Sequence, residues 1–316
     1  MNTPTKAAGF VVGLLAVFGA ATGLGTLVGP VGGPQAAEPA AHTDEPGSHT
    51  DEPGSHTDET GSHTDEHGAP GTAAGAHLPG GLMVSQDGYT LDVADRQLPA
   101  DQKAPLRFRI LGPDGAPVTS YTTEHGKELH LITVRSDFSR YQHVHPRLDA
   151  SGTWSVPLDL SAAGVYRVYA DFTPAGRAEG LTLGADLSVP GSYRPQPLPA
   201  ESRTAEVDGY TVTLAGDLVA GQESELTLSV SRGGKPVTDL QPYLEAYGHL
   251  VALRDRDLAY LHVHPEGSPD DGVTPSGPDV TFAAAVPSEG SYRLFLDFRH
   301  GDRVRTAEFT LTAGAR

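Results

Sequence analysis

Between residues 80 and 316 the apolar positions recur with a period of two. In LRFRIL, residues 106 to 111, Leu106, Phe108 and Ile110 alternate with Arg107 and Arg109, and in ELTLSV, residues 225 to 230, Leu226, Leu228 and Val230 alternate with polar residues. Successive strand side chains point to opposite faces, so this alternation predicts strands buried on one face. Turn signals at Pro113-Asp114-Gly115, Ala150-Ser151-Gly152 and Arg232-Gly233-Gly234 fall at the spacing of short strands, and no helical period is sustained anywhere in 80–316. The expected fold is all-β, an antiparallel sandwich of the immunoglobulin-like kind.

The pattern occurs twice. DGYT stands at 87–90 and at 208–211, GAPVT at 115 answers GKPVT at 234, and VYRVYADF at 165–172 answers SYRLFLDF at 291–298, always in the same order. The chain therefore divides into a first β-sandwich repeat at 80–192, a Pro-rich link at 193–203 and a second repeat at 204–316. Each repeat is long enough for a seven-strand sandwich with its own core.

The pattern changes completely before residue 80. After a short N-terminus (1–6) with one lysine, residues 7–29 run for 23 positions without a charge. About 20 such residues suffice to cross a bilayer, so the expectation is a transmembrane anchor with everything beyond it outside the cytoplasm. A cleaved signal peptide, giving a secreted protein, is the competing reading, because Gly19-Ala20-Ala21 has the small residues of a cleavage site. The linker at 30–79 repeats HTDEPGS with a period of seven, yet its prolines and glycines exclude a coiled coil, and it has no apolar seam. It reads as a disordered acidic arm. His42, His49, His56, His63 and His67 alternate there with carboxylates, a composition suited to weak collection of metal ions.

Composition narrows the partners. The net charge is −18, and nine carboxylates with no lysine or arginine between 30 and 80 account for half of it. That balance disfavours nucleic acid or an anionic lipid surface and favours cations. With no cysteine, neither a disulfide nor a thiolate metal site can form.

The histidines bring candidate chemistry. QHVHP at 142–146 returns as LHVHP at 261–265. His130 precedes His143 by 13 residues with His145 two further on, and His249, His262 and His264 have the same spacing. A hairpin turning near Asp137-Phe138 pairs 130 with 145, and one turning near Arg256-Asp257 pairs 249 with 264. Paired strand residues share a face, so each hairpin should bring three imidazoles together. Three neutral imidazoles suit Zn(II) or Cu(II) and leave a coordination position open. Asp171 and Asp297, each four residues after an arginine, are candidates for a fourth ligand or for acceptors that orient the rings. Glu124, His125 and Glu128 could add ligands in the first repeat, and His300 in the second. One shared site using all six histidines is a further arrangement, and packed histidines without metal are the plain alternative.

The tandem HxxxxxxxxxxxxHVHP and GxYRxxxDF patterns behind an N-terminal apolar segment resemble a group of membrane-anchored or secreted actinobacterial proteins of unestablished function. More loosely, the small β-sandwich architecture is similar to that of YtkA-like and CopC-like (cupredoxin-like) extracytoplasmic proteins. That likeness implies copper handling, although the methionine-bearing motifs of those proteins have no match here. The expected function is binding of Cu(II) or Zn(II) outside the cytoplasm, in metal handling and without catalysis. A structural or adhesive surface protein is one alternative. A metal-dependent hydrolase or oxidase is the other, and HExxH, GxSxG and Walker motifs are all missing.

Overall fold

A computed structural model describes residues 78–261 and 263–315. The 7–29 segment, the histidines of the acidic arm and His262 lie outside the described residues. Among the described residues every regular element is a β-strand, and no helix is long and apolar enough to cross a membrane.

The first ten strands are β1 (Ser85–Gln86), β2 (Tyr89–Val93), β3 (Ala104–Leu111), β4 (Tyr121–Thr122), β5 (His130–Arg135), β6 (Gln142–Val144), β7 (Arg147–Leu148), β8 (Thr153–Leu158), β9 (Gly164–Pro174) and β10 (Leu181–Val189). They form two antiparallel sheets, β1-β2-β3-β8-β7 and β10-β9-β5-β6, with β4 paired to β9. The next ten are β11 (Thr204–Val207), β12 (Tyr210–Ala215), β13 (Glu223–Arg232), β14 (Lys235–Pro236), β15 (Gly248–Arg254), β16 (Tyr260–Leu261), β17 (Val263–Pro265), β18 (Asp279–Ala285), β19 (Gly290–His300) and β20 (Arg303–Ala313). Their sheets run β11-β12-β13-β18-β17, with β14 on β13, and β16-β15-β19-β20.

The alternating strands behave as their pattern predicts. Leu106, Phe108 and Ile110 of β3 and Leu226, Leu228 and Val230 of β13 are all buried, each set in the core between its own two sheets. In contrast, β5 is buried at every position. Its Leu131 faces the first core, while Ile132 and Val134 enter a third cluster with Tyr169, Val251, Leu253, Tyr260 and Phe295. The β5/β9 sheet and the β15/β19 sheet thus carry apolar residues on both faces, and their second faces meet.

Polar bonds join the two repeats beside these sheets. The Tyr169 hydroxyl donates to the Leu258 carbonyl at 2.6 Å, and the Tyr260 amide donates to the Gly80 carbonyl at 2.9 Å. At Gly184 the chain at 81–83 passes so close that an added Cβ would lie 1.9 Å from the Gly81 carbonyl oxygen, which leaves room only for glycine.

The turn between β5 and β6 is organised by Asp137. Its carboxylate accepts from Arg135 Nε at 2.9 Å and Nη2 at 2.8 Å, from the Ser139 hydroxyl at 2.7 Å, and from the Gln196 amide at 2.8 Å. Burial pushes this carboxyl up, but Arg135 and the amide and hydroxyl donors outweigh it and hold the group at about 2. Asp137→Ala strands the buried Arg135 guanidinium and is expected to lower stability by about 3 kcal/mol, measured as a shift of the urea midpoint at constant m-value.

Candidate metal centre

The β5–β6 hairpin pairs Leu131 with Val144, Ile132 with His143 and Thr133 with Gln142. That register sets His130 opposite His145, as the turn position predicted. Because Ile132 points into the cluster between the repeats, His143 and its same-face neighbours His130 and His145 point there too.

The three imidazoles converge. His130 Nδ1 is 3.1 Å from His143 Nε2 and 3.3 Å from His145 Nε2, and one ring nitrogen of each residue lies within 4.8 Å of the others. Two of the rings are oriented from behind. His130 Nε2 donates to the Glu124 carbonyl at 3.1 Å, and His143 Nδ1 donates to the Asp297 carboxylate at 2.9 Å. Asp297 is 2% exposed, and its other oxygen accepts from the Thr306 hydroxyl at 2.6 Å.

These bonds decide where the lone pairs point. A carbonyl only accepts, so the hydrogen of neutral His130 is on Nε2 and the lone pair of Nδ1 faces the cluster. His143 likewise spends its Nδ1 hydrogen on Asp297 and turns Nε2 inward. Two lone pairs 3.1 Å apart face one another, and a metal ion between the rings would engage all three nitrogens.

Burial pushes His130 down to about 4, with His143, His125 and Lys127 adding to the effect against the Glu124 carbonyl. Burial, then His143, His130 and Lys127, push His145 down to about 3. Both rings stay neutral in the folded chain at pH values where an unfolded histidine, near 6.5, takes up a proton. Between about 6.5 and 4 the unfolded state therefore binds more protons, and the metal-free protein should lose stability as pH falls through that window. Urea unfolding in chelator from pH 7 to pH 4 checks this, and His130→Gln should flatten the dependence.

The other sequence candidates divide. His249 pairs in register with Asp297, is 8% exposed, and stacks on His130 with ring centroids 5.5 Å apart at 17°. It also lies 5.0 Å from the His143 ring, so the second repeat borders the cluster directly. His264 does not join it. Its strand leaves the β15 sheet and pairs with β18, His264 opposite Ala283, and His264 is left exposed. Asp171 is the register partner of His130 and accepts from the Thr182 hydroxyl at 3.0 Å and the Tyr260 hydroxyl at 3.3 Å. Of the arginines four residues before Asp171 and Asp297, Arg167 binds Asp186 and the Gly81 and Leu82 carbonyls, and Arg293 binds Glu308. His300 lies elsewhere, between the Tyr210 hydroxyl and Asp239.

His125 is a residue whose surroundings the sequence does not reveal. It occupies a tight turn closed by Glu124 and Lys127, with φ of 49° and 71° at His125 and Gly126, and its ring lies 5.5 Å from His249 of the other repeat. The contribution of Asp297 to a ring in the first repeat is equally unexpected, since the two residues are 154 positions apart.

Comparison with known proteins places this sequence in a family. No curated protein sequence matches the chain. Among solved structures, it is similar to the Yersinia pseudotuberculosis adhesin InvE (15% identity, 73% of this chain, 60% of that one, TM-score 0.23). It is also similar to InvD of the same organism (13%, 73%, 59%, 0.23) and to the Escherichia coli adhesin FdeC (13%, 73%, 65%, 0.21). The chain spans about 60% of the length of the first two. The sequence profile of a domain of unknown function, DUF8832, matches residues 84–187 and again 205–315. More than half of the sequence lies in those two matches, and the chain belongs to the DUF8832 family.

Proposed function

We propose that this is an extracytoplasmic metal-binding protein in which His130, His143 and His145 hold one Cu(II) or Zn(II) ion. The observation that carries the reading is the convergence of three ring nitrogens, two of them aimed by hydrogen bonds on the far side of the ring. Adjacent donors on a tetrahedral ion with bonds of about 2.0–2.1 Å lie about 3.3–3.4 Å apart, close to the 3.1 and 3.3 Å that separate His130 Nδ1 from the other two nitrogens. Neutral imidazoles with no thiolate suit borderline divalent ions, and a fourth position remains for water or a carboxylate. Asp297 acts behind His143, fixing its tautomer and strengthening it as a donor.

In this reading the two repeats are tandem immunoglobulin-like sandwiches, the 7–29 segment anchors the chain in the membrane, and the acidic arm collects metal weakly. The protein handles metal and catalyses no reaction. The test is calorimetric titration of the full chain, with the arm histidines replaced by alanine, against Cu(II) and Zn(II). One ion per chain, lost in His143→Ala, supports the reading; heat identical in the two proteins refutes it.

A further inference from the structure

The converging nitrogens are sheltered, with His130 5% exposed and the His143 side chain 1%. An ion reaches them through one of the clefts that border the cluster. One open cleft is lined by Glu124, His125, Asp171, Glu179, Glu245 and His264, with no lysine or arginine among the described residues of its wall. Behind it lies a small enclosed pocket that shares Glu124, His125, Asp171 and Tyr260 with the cleft and adds His130 and His249. The cleft on the other side, where His145 comes to the surface, carries Lys127 and Arg147 beside Glu128, and Lys127 also forms the far wall of the enclosed pocket.

The two approaches therefore differ in sign. Four carboxylates in a concave wall concentrate divalent cations, and a wall with two cations and one carboxylate does not. The imidazoles are graded along the acidic side: His264 is exposed in the cleft, His125 is half-buried and borders both spaces, and His130 is buried at the inner end. The His125 ring lies 6.1 Å from that of His130. A non-glycine residue at φ 49° is costly, and the closed turn around His125 keeps its ring at that boundary.

We infer that the acidic cleft is the loading route of the centre, in which His264 and His125 ligate a divalent cation transiently and pass it to His130, His143 and His145. This rests on the metal-binding reading above and assigns roles to two histidines outside the triad.

The experiment is stopped-flow capture of Cu(II) by the full chain carrying alanine at His42, His49, His56, His63, His67 and His77, so that the arm does not compete. His125→Ala with His264→Ala should slow second-order capture and leave the equilibrium affinity, read by chelator competition, within about twofold. Glu179→Gln with Glu245→Gln should slow capture about tenfold, the lower end of what a focusing cleft provides, and weaken its dependence on ionic strength. An unchanged capture rate in both double variants overturns the route. So does faster capture in Lys127→Gln with Arg147→Gln exceeding the loss in the acidic variant, which would put entry on the other side. Affinity falling in step with the capture rate also overturns it, by making His125 or His264 a resident ligand. Failure of the metal-binding reading is separate: the parent protein would then show no saturable binding that His143→Ala removes.

Discussion

His143→Ala is expected to lower the affinity of the chain for Cu(II) or Zn(II) by at least about a hundredfold, a loss of about 2.7 kcal/mol or more. Two effects add. One of three ring nitrogens is removed, and with it the bond by which Asp297 aims that ring and strengthens it as a donor. Asp297→Asn tests the second effect alone, since it keeps all three rings but weakens the hold on the His143 tautomer; a loss of about ten- to a hundredfold is expected. His264→Ala should leave the affinity unchanged, because its strand has crossed to the opposite sheet. The titration should saturate near one ion per chain. Two ions per chain, or equal losses in the His143 and His264 variants, would mean that the repeats bind separately and that the cross-repeat bond from His143 to Asp297 has no part in binding.

Much of this architecture is legible in the sequence, for reasons that differ by element. Strand β3 alternates because one face meets a core and the other meets water, so Leu106, Phe108 and Ile110 declare themselves. The β5–β6 register is readable because the turn at Asp137-Phe138 fixes which residues oppose each other, and with it the meeting of His130, His143 and His145. The partner of that hairpin is harder to see. HLITVR and GHLVALR are nearly continuous apolar runs, which is how a strand covered on both faces reads, and that was the available sign that the repeats pack against one another. Which residue then faces His143 depends on how two sheets cross, and no local spacing encodes that. The second HVHP illustrates the same limit, since the same residues diverge where the second strand pairs with β18 in the opposite sheet.

Phe295→Ala is expected to cost about 4 kcal/mol of unfolding free energy, the range for emptying a large aromatic site that its surroundings cannot fill. Phe295 is fully buried and stacks on Tyr141 with ring centroids 4.0 Å apart at 5°, while the Arg293 guanidinium lies 5.6 Å from its ring. Tyr141 is two residues before His143, and Phe295 is two residues before Asp297. The stacked rings and the histidine–aspartate bond are thus successive contacts between β19 and the segment that enters β6, one apolar and one polar. Loosening the first should reach the second, so Phe295→Ala should also weaken metal affinity, whereas Phe295→Leu, which keeps most of the volume, should lose less of both. Metal should act in the reverse direction: at a thousandfold excess over its Kd an ion adds about 4 kcal/mol to the state that binds it. Because the ligands come from one repeat and the aspartate behind them from the other, saturating Zn(II) should raise a single unfolding transition of the whole β-structure. Separate melting of the two repeats, with only the first shifted by metal, would show that the shared cluster holds neither the fold nor the site together.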